Sequence, residues 1–288
     1  MVRRSLQKVC LATKDERKRM EFMRRMLADL GRRFGPDFVP SFHTINENKI
    51  LVEVTGNPDP YRRKKLHVIR MAKRCLPYFK SYVESGGEGY ELFRRALLVS
   101  LCGNKIEISA PQHKVDVGDL RGAITECIRG GLAVDDTRKI FRKVESAGRI
   151  MFITDNCGEA VLDTLLLAEL RKYAEVVIAV SSKPIEDDVS IGEAKLIGLE
   201  RYGRVVGRGG ATQGVNKKEN SRTFWKLMRG SDLIVAKGMS CLETLTEYPG
   251  ISRGRTAFLL TVKCRTMSRN IGVGVGGNVA WLYPHGGK

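Results

Sequence analysis

The chain of 288 residues carries 50 lysines and arginines against 32 aspartates and glutamates, for a net charge of +18, and 42% of its residues are hydrophobic. These values predict a soluble globular protein with one large domain or two of ordinary size. The longest apolar runs, residues 176–180 and 258–262, are far shorter than the roughly 20 residues of a membrane-spanning helix, so no membrane partner is expected. The positive charge favours anionic partners, either phosphorylated small molecules or nucleic acids.

The N-terminal segment and the cysteines bear on the cellular compartment. The first residues lack the apolar stretch of a secretory signal, which predicts a cytoplasmic location. The seven cysteines are odd in number and widely spaced, so we expect most of them to be small buried residues rather than disulfide partners. No Cys-x-x-Cys pair occurs and the four histidines lie far apart, so a structural zinc site is not expected.

The first half of the chain has the periodicity of helices. Apolar residues recur at helical spacing over residues 15–30, among many basic ones. The sequence NPDP at 57–60 interrupts the chain, and helical patterns resume at 61–79, 90–101, 120–129 and 137–145. We therefore predict a mainly helical N-terminal domain over residues 1–145.

Short runs rich in Val, Ile and Leu alternate with helical segments after residue 147. These runs, at 149–154, 176–180, 232–237 and 256–263, have the length and composition of buried strands. Strands that alternate with helices predict a mainly parallel sheet covered on both faces. We therefore predict an α/β fold, with a three-layer α/β/α domain over residues 146–288. The glycine-rich residues 207–214 are expected to form a loop that is mobile without ligand.

Polar residues end each predicted strand. The first strand leads into Asp155 and Asn156, the second into an acidic turn at 186–188, the third into Lys237 and the fourth into Lys263. Because the carboxyl ends of parallel strands meet at one edge, acids and lysines should converge there. Oxygen ligands of this kind suit a hard divalent cation, and lysines neutralise phosphate oxygens. The pattern predicts a metal-assisted phosphoryl-transfer site.

Each of these features taken alone has a simpler structural interpretation. An Asp-Asn pair after a strand is often a capped turn, an acidic turn is often solvent-exposed, and a lysine at a strand end is more often a surface residue. The glycines at 272–277 fit the dinucleotide-binding pattern only nominally, because no strand-helix-strand unit follows them. We interpret that segment as turns.

Several motifs together resemble the domain-of-unknown-function 89 family of metal-dependent damage-control phosphatases, and most of all its stand-alone archaeal members. Residues 155–159 match the Asp-Asn-x-Gly-Glu signature of the family. Residues 184–194, 231–245 and 259–265 resemble three further family segments in the C-terminal half. In the helical half, residues 57–61 and 103–107 resemble two more, so the resemblance covers nearly the whole chain.

The resemblance implies that Asp155, Asn156 and Asp188 bind a divalent ion such as Mn²⁺, Mg²⁺, Co²⁺ or Ni²⁺. It implies hydrolysis of small phosphorylated metabolites, either sugar phosphates or damaged metabolites, by water or, as the less favoured alternative, through Asp155 as nucleophile. Beyond the metal ligands, the family motifs point to four residues. Lys263 and Glu159, together with the metal ligand Asp155, are the candidate catalytic residues. The candidate substrate-binding residues are Lys263, Lys237 and Asn104.

The chain departs from the family pattern at three positions. Thr13 stands where a second cysteine often follows Cys10, Asp187 replaces an asparagine beside the third predicted ligand, and Cys241 replaces an asparagine. The last two changes bear on metal preference and substrate choice. Two other functions remain open: a basic nucleic-acid-binding protein with a vestigial acidic site, and a nucleotide-binding protein without hydrolysis. The sequence predicts no oligomeric state.

Overall fold

The computed structural model describes residues 1–106 and 120–284, and the first part of the chain is helical as predicted. The second, fourth, fifth, sixth and seventh helices correspond to the predicted ones. The N-terminal helices are α1 (Val2–Ala12), α2 (Glu16–Arg33), α3 (Pro40–Thr55), α4 (Arg62–Glu84), α5 (Gly89–Cys102), α6 (Leu120–Arg129) and α7 (Thr137–Ser146).

Helix α3 was not predicted, because its sequence has no apolar stripe. It buries polar residues, including Ser41, His43, Glu47 and Asn48, on the sides that face its neighbours. Such a helix gives no periodic hydrophobic signal, since its buried face is held partly by hydrogen bonds and ion pairs. Its polar face matters for the site described below.

A seven-stranded sheet forms the rest of the fold, in the order β1-β7-β6-β5-β2-β3-β4. Every neighbouring pair is parallel except β6 and β7. The strands are β1 (Val134–Asp135), β2 (Arg149–Ile153), β3 (Glu175–Val180), β4 (Arg204–Gly207), β5 (Leu233–Lys237), β6 (Thr256–Thr261) and β7 (Asn278–Leu282). The predicted α/β fold with a mainly parallel sheet is thereby confirmed.

The sheet extends beyond the four predicted strands. Strands β1, β4 and β7 are short or flank glycine-rich segments, so their patterns did not stand out. Because β1 lies before residue 146 and pairs with β7, the sheet includes a strand from the part of the chain predicted to be helical. The division into domains at residue 146 stays a prediction.

Alternating side chains of the strands face two apolar layers. Ile150 and Phe152 of β2 pack in one layer with α4, α5 and α8 (Cys157–Leu170). Met151 and Ile153 pack in the other with α10 (Arg222–Arg229) and α11 (Gly238–Leu245). Shorter helices complete the covering. They are α9 (Ile191–Ile197), α12 (Pro249–Ser252) and α13 (Arg265–Ile271). No helix in the described ranges combines the length and apolar character needed to cross a membrane.

The order of the strands reverses beside β2. From β2 the chain proceeds through β3 and β4 on one side, and through β5 and β6 on the other. Ligands of open parallel sheets bind outside the carboxyl ends of the strands at such a reversal. The predicted ligands Asp155 and Asn156 follow β2, so they lie at the reversal.

Two of the seven cysteines form a disulfide that was not predicted from the sequence. Cys102 at the end of α5 and Cys127 in α6 form a disulfide, with their Cα atoms 5.7 Å apart and 25 residues of separation. An odd number of cysteines does not exclude a single pair, and only the packing of α6 on α5 brings these two together. The disulfide closes a loop that begins two residues before Asn104.

Candidate active site

A cavity of about 140 Å³ lies at the carboxyl ends of the central strands. Its walls come from the segments that follow β2, β3, β4, β5 and β6, together with α1 and α3. Among the described residues, six carboxylate side chains and two cationic ones line the cavity, although the chain as a whole carries +18. The cavity therefore has the opposite charge to the protein, which is the character of a cation site.

Backbone hydrogen bonds join the first two predicted motifs. The amide of Cys157 donates to the carbonyl of Asp187 at 2.9 Å, and the amide of Val189 donates to the carbonyl of Asp155 at 3.0 Å. Asn156 and Asp188 form an isolated antiparallel bridge between these bonds. The main chain thus fixes the spacing of Asp155, Asn156 and Asp188, and all three side chains line the cavity.

Two amide side chains orient the Asp155 carboxylate. Asn104 Nδ2 and Asn156 Nδ2 donate to Asp155 Oδ2 at 3.0 and 3.1 Å. The same two groups donate to Glu159 Oε2 at 2.8 and 3.2 Å. Because these bonds engage the nitrogen of Asn156, its amide oxygen is turned away from the carboxylates. That oxygen accepts no hydrogen bond from the described residues.

Lys237 lies behind the cavity instead of lining it. Its ammonium is fully buried, 2.5 Å from Glu159 Oε1 and 2.8 Å from Asp163 Oδ1, and it donates to the hydroxyl and carbonyl oxygens of Ser100. Burial lowers the pKa of Lys237, but the charges of Asp163 and Glu159 outweigh it and the net pKa is raised. Burial raises the pKa of Asp163 to about 6, although Lys237 opposes that shift. Lys237 therefore anchors Glu159, and Glu159 in turn holds the two amides.

Gly238 allows the close approach of α11 to Asp155. It has a φ of +78°, and a Cβ at this position would lie 2.0 Å from Asp155 Oδ2 and 2.3 Å from Cγ. An L side chain is disfavoured by this backbone conformation and excluded by the carboxylate. The N-terminus of α11 is thereby placed directly against the predicted ligand.

Asp188 is held by two side chains that the sequence analysis did not identify. Arg208 Nη2 lies 3.4 Å from Asp188 Oδ2, and Gln213 Nε2 donates to Oδ1 at 3.2 Å. Burial raises the pKa of Asp188 to about 7, with further contributions from Asp187 and Glu186, while Arg208 opposes the shift.

The glycine-rich loop that carries Arg208 is folded over this arginine. The Arg208 side chain is fully buried and donates to the carbonyls of Thr212 and Gly214 at 2.9 and 3.0 Å. A Cβ at Gly214 would lie 2.3 Å from Thr244 Oγ1 of α11, so the loop packs closely on that helix. None of residues 207–214 is exposed in the structure. Their mobility without ligand stays a prediction.

Helix α1 contributes a second ionic cluster at the edge of the cavity. Lys8 Nζ lies 2.6 Å from Glu186 Oε1 and 2.8 Å from Glu47 Oε2, and Arg4 also pairs with Glu186. Burial would raise the pKa of Glu186, but Arg4 and Lys8 outweigh it and lower the pKa to about 2. Glu186 has a φ of 44°, which is uncommon for a residue with a side chain. The ion pairs hold the acidic turn in this conformation.

The remaining predicted residues fall into two groups. Lys263 lines the cavity with the three predicted ligands, whereas Glu159, Asn104 and Lys237 are buried behind them. The predicted roles of all seven stay predictions. Glu107, the last residue of the 103–107 segment, lies outside the described residues. Arg208 and Lys8 could not be identified as parts of the site from the sequence, because the acidic residues that they pair with are distant along the chain.

The donor set is compatible with a hard divalent cation. Within the described ranges, no group of three His, Cys, Asp or Glu side chains is placed to hold a metal ion. The predicted set is of another kind, because one of its three ligands is the amide of Asn156. Asn156 offers an oxygen without a hydrogen-bond partner among the described residues. The hydrogen bonds from Arg208 and Gln213 use one site on each Asp188 oxygen, and a carboxylate has about four lone-pair sites. Oxygen ligands of this kind suit Mg²⁺ or Mn²⁺.

Known proteins with similar sequences and folds bear on this site. The family model described as damage-control phosphatase ARMT1-like domain matches residues 1–279. The chain is 34% identical over 230 residues to a protein of Archaeoglobus fulgidus named damage-control phosphatase, covering 79% of this chain and 77% of that one. It is 32% identical over 228 residues to a damage-control phosphatase of Pyrococcus horikoshii, covering 77% and 74%.

A solved structure agrees with the sequence relatives. The crystal structure of a DUF89 family protein from Pyrococcus horikoshii superposes with a TM-score of 0.83 at 29% identity, over 98% of this chain and 95% of that chain. The resemblance identified from the motifs is thereby confirmed.

Proposed function

Because the chain belongs to the damage-control phosphatase ARMT1-like domain family, we propose that it is a divalent-metal-dependent phosphatase of small phosphorylated metabolites. The names of the relatives support the phosphatase role. The metal dependence and the substrate class go beyond those names. One observation carries them: Asp155, Asn156, Asp188 and Lys263 line a single acidic cavity at the reversal of strand order.

Asp155, Asn156 and Asp188 would hold the metal, and Lys263 would bind the phosphate oxygens. The metal, when bound, neutralises the phosphoryl group and polarises it for attack. Lys263 stabilises the charge that spreads over the phosphate oxygens in the transition state. Water forms the new bond to phosphorus as the bond to the ester oxygen breaks, and the alcohol leaves with a proton. Asp155 Oδ2 accepts two amide hydrogen bonds, which favours Asp155 as a ligand over Asp155 as the nucleophile.

The buried residues behind the cavity would position the ligands. Glu159 accepts hydrogen bonds from Asn104 and Asn156, so its loss would let the Asn156 amide rotate. Lys237 pairs with the Glu159 carboxylate beneath the cavity and fixes its position. Groups that orient ligands contribute strongly to metal affinity, typically about 10-fold to 100-fold. In this proposal Lys237 and Asn104 act through other residues, without contacting the substrate.

Phosphate release tests the proposal directly. The purified chain is assayed on p-nitrophenyl phosphate and a panel of sugar phosphates, with Mn²⁺, Co²⁺, Ni²⁺ or Mg²⁺ and with a chelator. We expect turnover that depends on the metal and is abolished in Asp155→Ala. Asp37→Ala is the matched control, because Asp37 is exposed and does not line the cavity. Turnover that survives the chelator, or that is unchanged in Asp155→Ala, contradicts the proposal.

A further inference from the structure

One wall of the cavity has no role in the proposed metal and phosphate site. It is formed by α3 and α11, which meet where Ser41 Oγ donates to Glu243 Oε2 at 2.6 Å. Thr44 of α3 and Ser240 of α11 line the same wall. The wall therefore presents hydroxyl and carboxylate groups to whatever occupies the cavity beside the phosphate.

Glu243 differs from the neighbouring acids in its partners. Lys8 pairs with Glu47 and Glu186, and Arg208 pairs with Asp188. Glu243, in contrast, forms no ion pair with any residue of the described ranges, and its side-chain partner is the Ser41 hydroxyl. Burial raises the pKa of Glu243, and the Ser41 hydrogen bonds and the charge of Arg4 offset this only in part. A carboxylate in such a setting has unused capacity to accept hydrogen bonds.

The position of Glu243 along α11 sets its distance from the proposed metal. Gly238 contacts the Asp155 carboxylate, and Glu243 lies five residues further along the same helix. Five residues of helix rise about 7.5 Å. This separation is comparable to the length of a small metabolite. The organic part of a phosphate ester bound at the ligands would therefore extend towards Glu243.

We propose that Glu243, oriented by Ser41, is a specificity-determining residue that accepts a hydrogen bond from a donor on the organic part of the substrate. This inference rests on the proposed phosphatase function and names its substrate class: phosphate esters that carry a hydroxyl or an ammonium group. An ester without such a donor leaves the partly buried Glu243 carboxylate bonded to Ser41 alone. Sites built to bond a polar group discriminate strongly against analogues that lack it.

The test compares three esters on one set of variants. The substrates are a hydroxyl-bearing sugar phosphate, the ammonium-bearing ester O-phosphoethanolamine, and p-nitrophenyl phosphate, whose organic part has no donor. Glu243→Gln retains the shape and an acceptor for Ser41, and Glu243→Leu removes the acceptor. Glu247→Gln is the control, because Glu247 is exposed just beyond the end of α11. Thermal unfolding verifies that each variant is folded.

We expect Glu243→Gln to lower kcat/KM for at least one donor-bearing ester by about 10-fold to 100-fold, with a larger loss in Glu243→Leu. Turnover of p-nitrophenyl phosphate should stay within about threefold of wild type. The donor-bearing ester that suffers the loss identifies the recognised group as hydroxyl or ammonium. Equal losses on all three esters, or no loss on the donor-bearing ones, overturn the inference while the phosphatase function stands. A wild-type chain that hydrolyses none of the three with any metal overturns both.

Discussion

Gly238 offers a sharp test of the site geometry, because α11 and Asp155 approach each other through the missing side chain. In Gly238→Ala the new Cβ would lie 2.0 Å from Asp155 Oδ2, whereas ordinary contacts begin near 3.4 Å. The carboxylate or the helix must therefore move by more than 1 Å. The carboxylate is not free to move, since Asn104 and Asn156 hold it.

Gly238→Ala carries two separate costs, one in backbone strain and one in the position of the Asp155 carboxylate. An alanine with φ near +78° costs about 1–2 kcal/mol of backbone strain. Misplacement of a reacting group by about 1 Å costs about 100-fold in rate. We expect the variant to lose at least about 100-fold in kcat/KM for phosphate release, with a free energy of unfolding lowered by more than the backbone strain alone.

A second glycine separates the two costs. Gly56, at the end of α3, has a φ of +74°, and nothing lies within 4 Å of the position that a Cβ would occupy there. Gly56→Ala should lose about 1–2 kcal/mol in urea unfolding followed by circular dichroism, with kcat/KM unchanged. Wild-type activity in Gly238→Ala, or an equal loss of activity in Gly56→Ala, would refute the reasoning.

Three further predictions concern the buried groups. Lys237→Met should lower the free energy of unfolding by about 3–5 kcal/mol, because it leaves two buried carboxylates without their cation, as measured by urea denaturation. Reduction of the Cys102–Cys127 disulfide should cost about 3.5 kcal/mol for a separation of 25 residues, measured by the urea midpoint with and without dithiothreitol. Burial alone would raise the pKa of Glu193, but the Ser190 hydroxyl and the Lys65 ammonium lower it overall. The stability that Glu193 contributes is therefore present above its ordinary pKa of 4.5 and is lost as the pH falls through the lowered native value, so the stability difference from Glu193→Gln should vanish in acid.

Each of these predictions has a matched control. Lys226→Met removes an exposed lysine and should change stability by less than about 0.5 kcal/mol. Cys10→Ser alters an exposed free cysteine and should leave the effect of dithiothreitol intact. Glu200→Gln replaces an exposed acid and should change the free energy of unfolding by less than about 0.5 kcal/mol. A control that changes as much as its partner variant contradicts the corresponding prediction.

The strand ends were predictable from the sequence because parallel strands place their carboxyl ends together. Asp155 and Lys263 each follow an apolar run of strand length, and the fold brings both to one cavity. The direction of a side chain at the last position of a strand was not predictable. Lys237 belongs to the strand itself and points into the layer of α5 and α8, whereas Lys263 follows its strand and reaches the cavity.

The ionic clusters around the site could not be predicted from the sequence. Arg4 and Glu186 pair across 182 positions, and their pairing depends on how α1 packs with α2 and α3 beside the acidic turn. A basic residue in a chain with 50 of them carries no local sign that it will be buried. Helix α3 was missed for a related reason, since Ser41 and Glu47 occupy positions where a pattern search looks for apolar residues.

The main-chain bonds between the first two motifs have a consequence for the substitutions that this site tolerates. The bonds from Cys157 to Asp187 and from Val189 to Asp155 involve only backbone atoms. A substitution at Asp187, which lines the cavity, therefore leaves both main-chain bonds available while it alters the charge and volume beside them. Variants at position 187 are thus a direct route to a changed charge in the cavity on an unchanged main-chain frame.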